Sequence, residues 1–132
     1  MSIKFEVSQL IPVPLEKLFN AWLDSEQHSK MIGAEAIVSN KEEGSFEVWD
    51  GYITGKNILV DPPNRILQSW RTSEFLDSEV DSLLEILFTS EGFNTKITIH
   101  HSKLPEHGMQ YKQGWIDNYF MPMIAYFKMI KR

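Results

Sequence analysis

Cysteine is absent from this chain of 132 residues. Its absence excludes disulfides, thiolate metal sites and cysteine nucleophiles. Because small secreted domains often depend on disulfides, it also favours a reducing compartment. The segment that follows Met1 has no apolar core of a signal peptide, so we expect a cytoplasmic protein. The longest apolar run, residues 119–127, is interrupted by Pro122 and falls far short of the roughly 20 residues that span a bilayer.

Basic residues are in the minority, since 13 Lys and Arg stand against 18 Asp and Glu, for a net charge of −5. A nucleic-acid partner is therefore not expected, because binding one needs a basic surface. The negative charge is concentrated, with no Lys or Arg from Glu74 to Thr95. This segment is either a solvated loop and outer sheet face or a docking surface for a basic partner. The docking interpretation assigns that role to Asp77, Glu79 and Asp81.

Recognisable catalytic and metal-binding patterns are also missing. His100 and His101 are neighbours on a predicted strand, so they point to opposite faces and do not chelate one metal. His28 and His107 have no second ligand at a metal-like spacing. The segment 51–57 resembles a phosphate-binding loop but lacks its glycine spacing and its Ser or Thr. We therefore predict no metal site, no cofactor and no catalytic residues.

The chain is rich in aromatic residues, with 8 Phe, 4 Trp and 4 Tyr. Its length predicts a single domain over residues 1–132 with a substantial core. Alternating apolar residues predict a first strand at residues 3–7, and apolar residues at helical spacing predict a helix at residues 15–22. Asp24 begins a second short helix as its cap, and Gly33 ends it.

The rest of the sequence predicts a sheet followed by a long helix. About six further strands fall between Ala34 and His101, with Gly55 marking a bulge or a close approach of two backbones. Apolar residues recur at steps of three and four from Met109 to Ile130, and Pro122 predicts a kink or break there. The predicted fold class is α+β: a curved antiparallel sheet of about seven strands wraps around a long C-terminal helix, and two short helices separate strands 1 and 2.

Seven inward-facing residues of this arrangement form a candidate site. They are Trp70, Ile86, Phe88, Ile99, His101, Trp115 and Tyr119. They either pack as core or line a cavity for an apolar small molecule. Within this set, His101 is either a hydrogen-bonded core histidine or a polar anchor in the cavity. Trp49 stands apart, because simple alternation points it outward, where it either anchors an interface or is covered by Arg71.

Several short motifs occur in a fixed order along the chain. They are Phe46-x-x-Trp49-Asp50-Gly51-x-x-x-Gly55, Pro62-Pro63, Arg65-Ile66-x-x-x-Trp70-Arg71, Leu104-Pro105 and Gln113-Gly114-Trp115-x-x-x-Tyr119-Phe120. As an ordered set, spanning nearly the whole chain, they resemble the C-terminal domain of the activator of heat shock protein 90 ATPase. That family belongs to the helix-grip superfamily of START and birch-pollen-allergen-like domains.

The resemblance implies a sheet wrapped on the last helix, often with a hydrophobic cavity between them. It also implies stimulation of a chaperone ATPase, although the best-known members make their main chaperone contact through a separate N-terminal domain for which this sequence has no counterpart. Two functions follow as hypotheses. The first is a non-enzymatic regulator of a chaperone ATPase in the stress response, and the second is a carrier or sensor of a hydrophobic small molecule or lipid. An enzyme is the third, because some helix-grip relatives are cyclases or hydrolases.

Overall fold

A seven-stranded antiparallel sheet forms the framework of the structure, a computed structural model that describes residues 2–130. The strand order across the sheet is β1-β7-β6-β5-β4-β3-β2. The elements in chain order are β1 (Ile3–Ile11), α1 (Leu15–Trp22), α2 (Ser25–Ile32), β2 (Ala36–Ile37), β3 (Ser45–Val48), β4 (Ile53–Asp61), β5 (Arg65–Thr72), β6 (Ser82–Glu91), β7 (Asn94–Leu104), α3 (Gln110–Trp115) and α4 (Met121–Ile130). The predicted α+β class and helix-grip arrangement are confirmed.

The central strands bury every second residue, as a sheet with one covered face requires. Ile66, Ile86 and Ile99 are fully buried and lie opposite one another across β5, β6 and β7. The register continues to β1, where Val7 pairs with Ile99. The covered face of the sheet therefore carries a continuous apolar layer, against which the helices pack.

The two short helices between β1 and β2 begin and end as the sequence predicts. The Asp24 carboxylate accepts a hydrogen bond from the backbone N–H of Gln27 at 2.9 Å, which caps the start of α2. Gly33 ends α2 in the left-handed conformation, with φ of 72°. In α1, Leu18, Phe19 and Trp22 are buried, so its apolar face packs toward the sheet side of the core.

The C-terminal helix is continuous but not uniform. A π-helical turn, Ile116–Phe120, joins α3 to α4, and the N–H of Met121 bonds the carbonyl of Ile116, five residues earlier. Pro122 has no N–H to donate to Asn118 and its ring crowds that carbonyl, which favours a widened turn. The helix therefore does not break at Pro122, and the predicted irregularity takes the form of a π turn immediately before it.

The first of the strands predicted between Ala34 and His101 is reduced to the two residues of β2. The outer edge of β2 is bonded to α2, because Ser29 Oγ accepts the N–H of Ala36 at 2.8 Å and Ser25 Oγ accepts the N–H of Val38 at 2.9 Å. These serines satisfy backbone groups on the edge of β2 that faces away from β3. The two α2 serines thus tie the sheet edge to the helix.

Gly55 lies where two backbones approach closely, as predicted. A Cβ at this position would stand 1.9 Å from the carbonyl oxygen of Ser69. The irregularity in the β4–β5 ladder lies farther along, between Asn57 and Leu59. Over residues 2–130, none of the helices has the length and apolar character that a bilayer crossing demands.

Candidate functional site

An open pocket of about 180 Å³ lies between the C-terminal helix and the β3–β4 side of the sheet. Six aromatic residues line it: Trp49, Tyr52, Trp70, Tyr111, Trp115 and Tyr119. The amides of Gln110 and Asn118 add polar groups, and both residues are exposed. We call this site the aromatic pocket. Its lining offers flat apolar surfaces with few hydrogen-bonding groups, which suits an apolar or weakly hydrated group.

The aromatic rings meet at steep angles, so they form walls rather than a single stack. Trp49 stands at 86° to Tyr119, with ring centroids 5.8 Å apart. Trp70 stands at 77° to Tyr111, at 4.9 Å. Trp115 bridges the two pairs, at 4.8 Å from Tyr119 and 6.0 Å from Trp70. Such contacts are favourable for aromatic rings and hold the walls in place.

His101 lies behind the pocket and connects its tryptophans. The indole N–H of Trp115 donates to His101 Nδ1 at 3.1 Å, and Ser82 Oγ lies 2.9 Å from His101 Nε2. Ser82 donates its own hydroxyl hydrogen to the carbonyl of Trp70 at 2.7 Å. The network therefore assigns the neutral tautomer with hydrogen on Nε2. Burial lowers the pKa of His101 to about 3, so the ring stays neutral.

A second buried histidine holds the ring of Tyr119. His28 Nδ1 lies 2.7 Å from the carbonyl of Trp22 and donates to it, which leaves Nε2 to accept the Tyr119 hydroxyl at 2.9 Å. Burial lowers the pKa of His28 to about 4 and raises the pKa of Tyr119. Sequence reasoning missed this pair because its members are 91 positions apart. No local pattern signals a contact over that separation.

A polar network borders the pocket on the side of the β5–β6 loop (residues 73–81). The Tyr52 hydroxyl donates to the carboxylate of Glu74, and the Thr72 and Tyr111 hydroxyls are 2.6 Å apart. Burial, followed by the bond to Glu74, raises the pKa of Tyr52. Phe75 packs beneath the loop, 6.0 Å from Tyr111. The loop is thereby continuous with the pocket, a relationship that the sequence did not reveal.

The predicted outward orientation of Trp49 is wrong. Trp49 and Asp50 both have φ of 54°, in the left-handed region, so the side-chain alternation of β3 ends before Trp49. The side chain is half-buried and turns toward Tyr119. The guanidinium of Arg71 lies 5.3 Å from the Phe75 ring and bonds Asp81 at 2.9 Å.

The seven candidate cavity residues divide into two groups. Trp70, Trp115 and Tyr119 line the aromatic pocket. The other four, Ile86, Phe88, Ile99 and His101, lie away from it, although all seven side chains are 4% exposed or less. A space farther inside, between Trp22, His28 and Leu84, amounts to about 10 Å³, which holds one water molecule at most. The interior between sheet and helix is thus packed, and the space for a ligand lies at its open end.

The three acidic residues proposed for a partner share the β5–β6 loop. Asp81 pairs with Arg71, and Glu79 accepts the N–H of Leu76 at 2.8 Å and lies 3.1 Å from His107 Nε2. The Leu76 N–H, and then His107, lower the pKa of Glu79. Asp77 is exposed. Among residues 2–130, no group of three His, Asp or Glu side chains is placed to hold a metal ion.

The solved structures most similar to this chain share its fold at low sequence identity. An Hsp90 activator from Plasmodium falciparum is 24% identical, with a TM-score of 0.84 and 96% of each chain covered. CalU16 from Micromonospora echinospora is 20% identical, with a TM-score of 0.71 over 97% of this chain and 75% of its own. Protein MLL2253 from Mesorhizobium loti is 16% identical, with a TM-score of 0.79 over 96% of this chain and 98% of its own. At these identities the likeness establishes the helix-grip fold.

Sequence comparison identifies the family more directly. No curated protein sequence matches the chain significantly. The model of the family described as activator of Hsp90 ATPase homolog 1-like protein matches residues 12–128, which include the whole aromatic pocket. The chain therefore belongs to the activator of Hsp90 ATPase homolog 1-like family.

Proposed function

We propose that this protein is a non-catalytic regulator of an Hsp90-type chaperone ATPase. The observation that carries the proposal is the family match over residues 12–128. The similarity to the Plasmodium falciparum Hsp90 activator, over 96% of both chains, supports it. Function inferred from family and fold needs a site that can serve it, and the surface around the pocket supplies a candidate.

The contact surface we propose joins the aromatic pocket to the β5–β6 loop. Trp49 is half-buried at the pocket, where a large aromatic side chain can anchor an interface. The loop adds the exposed Asp77, and its apolar residues Leu76 and Val80 are 63% and 76% exposed. Apolar anchors next to acidic groups suit a partner with basic residues around an apolar patch.

The proposal is tested by titrating the protein into purified Hsp90 and measuring ATP hydrolysis. We expect turnover to rise with added protein and to saturate. The charge reversal Asp77→Lys should weaken the stimulation of ATP hydrolysis, because it places a cation where a basic partner docks. The effect should be largest at low salt, where the repulsion is least screened. Phe93→Ala, at the 87% exposed tip between β6 and β7, is the matched surface control. A flat response at saturating protein contradicts the proposal.

A second candidate function is the binding of a small molecule in the aromatic pocket. The volume of about 180 Å³ favours it, because an engineered cavity of roughly 150 Å³ is enough for benzene. The same volume disfavours a lipid chain, since sites for drug-sized ligands are roughly 300–1,000 Å³. Native mass spectrometry and a thermal-shift panel of small ring compounds and small amines test this function. No bound species and no stabilisation by any compound would rule it out.

A further inference from the structure

We infer that the aromatic pocket binds a small organic cation whose nitrogen is alkylated, such as a quaternary ammonium group. This inference deepens the second candidate function and rests on it, and its test uses no chaperone. Three features of the pocket carry it: the angles between its rings, the lack of formal charge in its lining, and the carboxylate at its edge.

The rings that line the pocket lie in different planes. Trp49 and Tyr119 are nearly perpendicular, as are Trp70 and Tyr111. Walls at right angles present π surfaces from several directions, whereas parallel rings would admit only a flat molecule between them. An alkylated ammonium group is compact and attracted to the negative face of each ring. Tryptophan is the strongest partner for a cation, and three tryptophans line this pocket.

The composition of the lining selects among cations. None of the described residues that line the pocket carries a formal charge. A primary ammonium or a guanidinium brings several N–H donors, and each costs free energy if it loses water without finding an acceptor. A quaternary nitrogen has no N–H, so it enters an aromatic lining without leaving a donor unsatisfied. The pocket therefore suits an alkylated nitrogen better than a lysine-like or arginine-like group.

A carboxylate outside the pocket is hydrogen-bonded to one of the residues that line it. The Tyr52 hydroxyl donates to the Glu74 carboxylate, which shifts electron density toward the Tyr52 ring and strengthens its attraction for a cation. The chain as a whole carries a net charge of −5, which also favours the approach of cations. A neutral ligand of the same shape gains nothing from these charges.

The size of the pocket is consistent with a single such group. Its volume of about 180 Å³ exceeds the roughly 150 Å³ that holds one benzene, and a trimethylammonium group is more compact than that ring. The exposed amides of Gln110 and Asn118 lie at the pocket and can bond a hydroxyl attached to the cation. Choline combines these features and serves as the probe.

The test compares choline with its neutral carbon isostere, 3,3-dimethylbutan-1-ol, by isothermal titration of the intact protein. We expect choline to bind about tenfold more tightly, the difference that a partly desolvated cation–π site supplies. Glu74→Gln should weaken choline binding several-fold and leave the isostere unchanged. Trp49→Leu, which keeps an apolar wall but removes its π face, should do the same. Phe93→Ala serves as the control.

The possible outcomes separate the inference from the function it rests on. Equal affinity for choline and the isostere overturns the inference and leaves small-molecule binding in place. The absence of binding by either probe, and by the compounds of the thermal-shift panel, overturns both. A second arm adds vesicles of pure phosphatidylcholine: vesicle binding that choline displaces assigns a lipid headgroup, and choline binding without vesicle binding assigns a free cation. Both of these results support the cation class.

Discussion

The indole N–H of Trp115 donates to Nδ1 of His101 across 3.1 Å, and both side chains are buried. Through Ser82 the same imidazole reaches the backbone of Trp70. One neutral histidine therefore fixes a side chain of the C-terminal helix and the backbone of β5 at once. The positions of two pocket walls depend on a residue that does not itself line the pocket.

His101→Phe should destabilise the protein by about 1–3 kcal/mol, because the buried N–H of Trp115 loses its acceptor while the ring volume is kept. Its neighbour His100 provides the control. The His100 side chain lies on the opposite face of β7 from His101, is 41% exposed and is 3.4 Å from the Glu6 carboxylate. His100→Gln should therefore change stability by less than about 0.5 kcal/mol. Urea unfolding followed by circular dichroism measures both. Equal effects from the two substitutions would contradict the assigned network.

Stability should fall as the pH is lowered below the value at which an unfolded histidine titrates. The folded-state pKa values of His28 and His101 are depressed from 6.5 to about 4 and about 3. Between pH 6.5 and about 4 the unfolded chain therefore binds protons at both sites and the folded chain does not. The contribution of these two histidines to the free energy of unfolding should be constant above pH 6.5. As the pH falls below 6.5, each histidine should lower the free energy of unfolding by up to about 1.4 kcal/mol per pH unit.

Urea titrations at pH 7.5, 6.5, 5.5 and 4.5 measure this dependence. The double variant His28→Gln, His101→Gln should show a shallower slope over the same range, because its unfolded state no longer takes up those two protons. A midpoint that stays constant from pH 6.5 to 4.5 in the natural protein would show that the two imidazoles are not held neutral.

Trp115→Ala should destabilise the protein by roughly 3–5 kcal/mol, the usual cost of truncating a buried aromatic residue. Trp115 is 4% exposed and contacts the rings of Trp22, Trp70 and Tyr119. Phe93→Ala is the matched control, because Phe93 is 87% exposed and should cost less than about 0.5 kcal/mol. Thermal and denaturant melts of both variants check the prediction. An unchanged midpoint for Trp115→Ala would contradict the packed interior.

Two substitutions of glycine by alanine should change the stability of the protein in opposite directions. A Cβ at Gly55 would stand 1.9 Å from the Ser69 carbonyl oxygen and 2.6 Å from the Phe46 ring, so Gly55→Ala should cost about 1–3 kcal/mol. At Gly114, inside α3, the nearest atom lies 3.8 Å away. Gly114→Ala should therefore stabilise the protein by about 0.5–1 kcal/mol through helix propensity. Denaturation midpoints that move in the same direction would contradict the prediction.

Much of the fold was predictable because its signals are local. The alternation in β5, β6 and β7, the Asp24 cap and the terminating Gly33 each depend on neighbouring residues. The bonds from the α2 serines to the edge of β2 were not predictable, since they join side-chain hydroxyls to backbone groups 7 and 13 positions away. Local pattern therefore determined the elements, whereas the side-chain bonds that tie one element to another do not follow from it.

The candidate site was predictable only in part, for physical reasons that differ between residues. Trp70, Trp115 and Tyr119 follow from strand and helix periodicity. Trp49 was misplaced because alternation rules assume an extended backbone, and its φ is 54°. The bonds from His28 to Tyr119 and from Tyr52 to Glu74 join residues far apart in sequence. Nothing in the local pattern specifies such pairs.

The π turn has a consequence for how the C-terminal helix tolerates changes in length. Trp115 and Phe127, both buried, are twelve positions apart, whereas three α-helical turns need only about 10.8 residues. The widened turn absorbs the surplus residue. Removing one residue there, such as the exposed Asp117, would keep Trp115 and Phe127 on one face of the helix, because eleven positions come close to three α-helical turns. The same deletion within α4 would rotate every later side chain by about 100°. The π turn is thus the place where the C-terminal helix can lose one residue without turning its buried side chains away from the sheet.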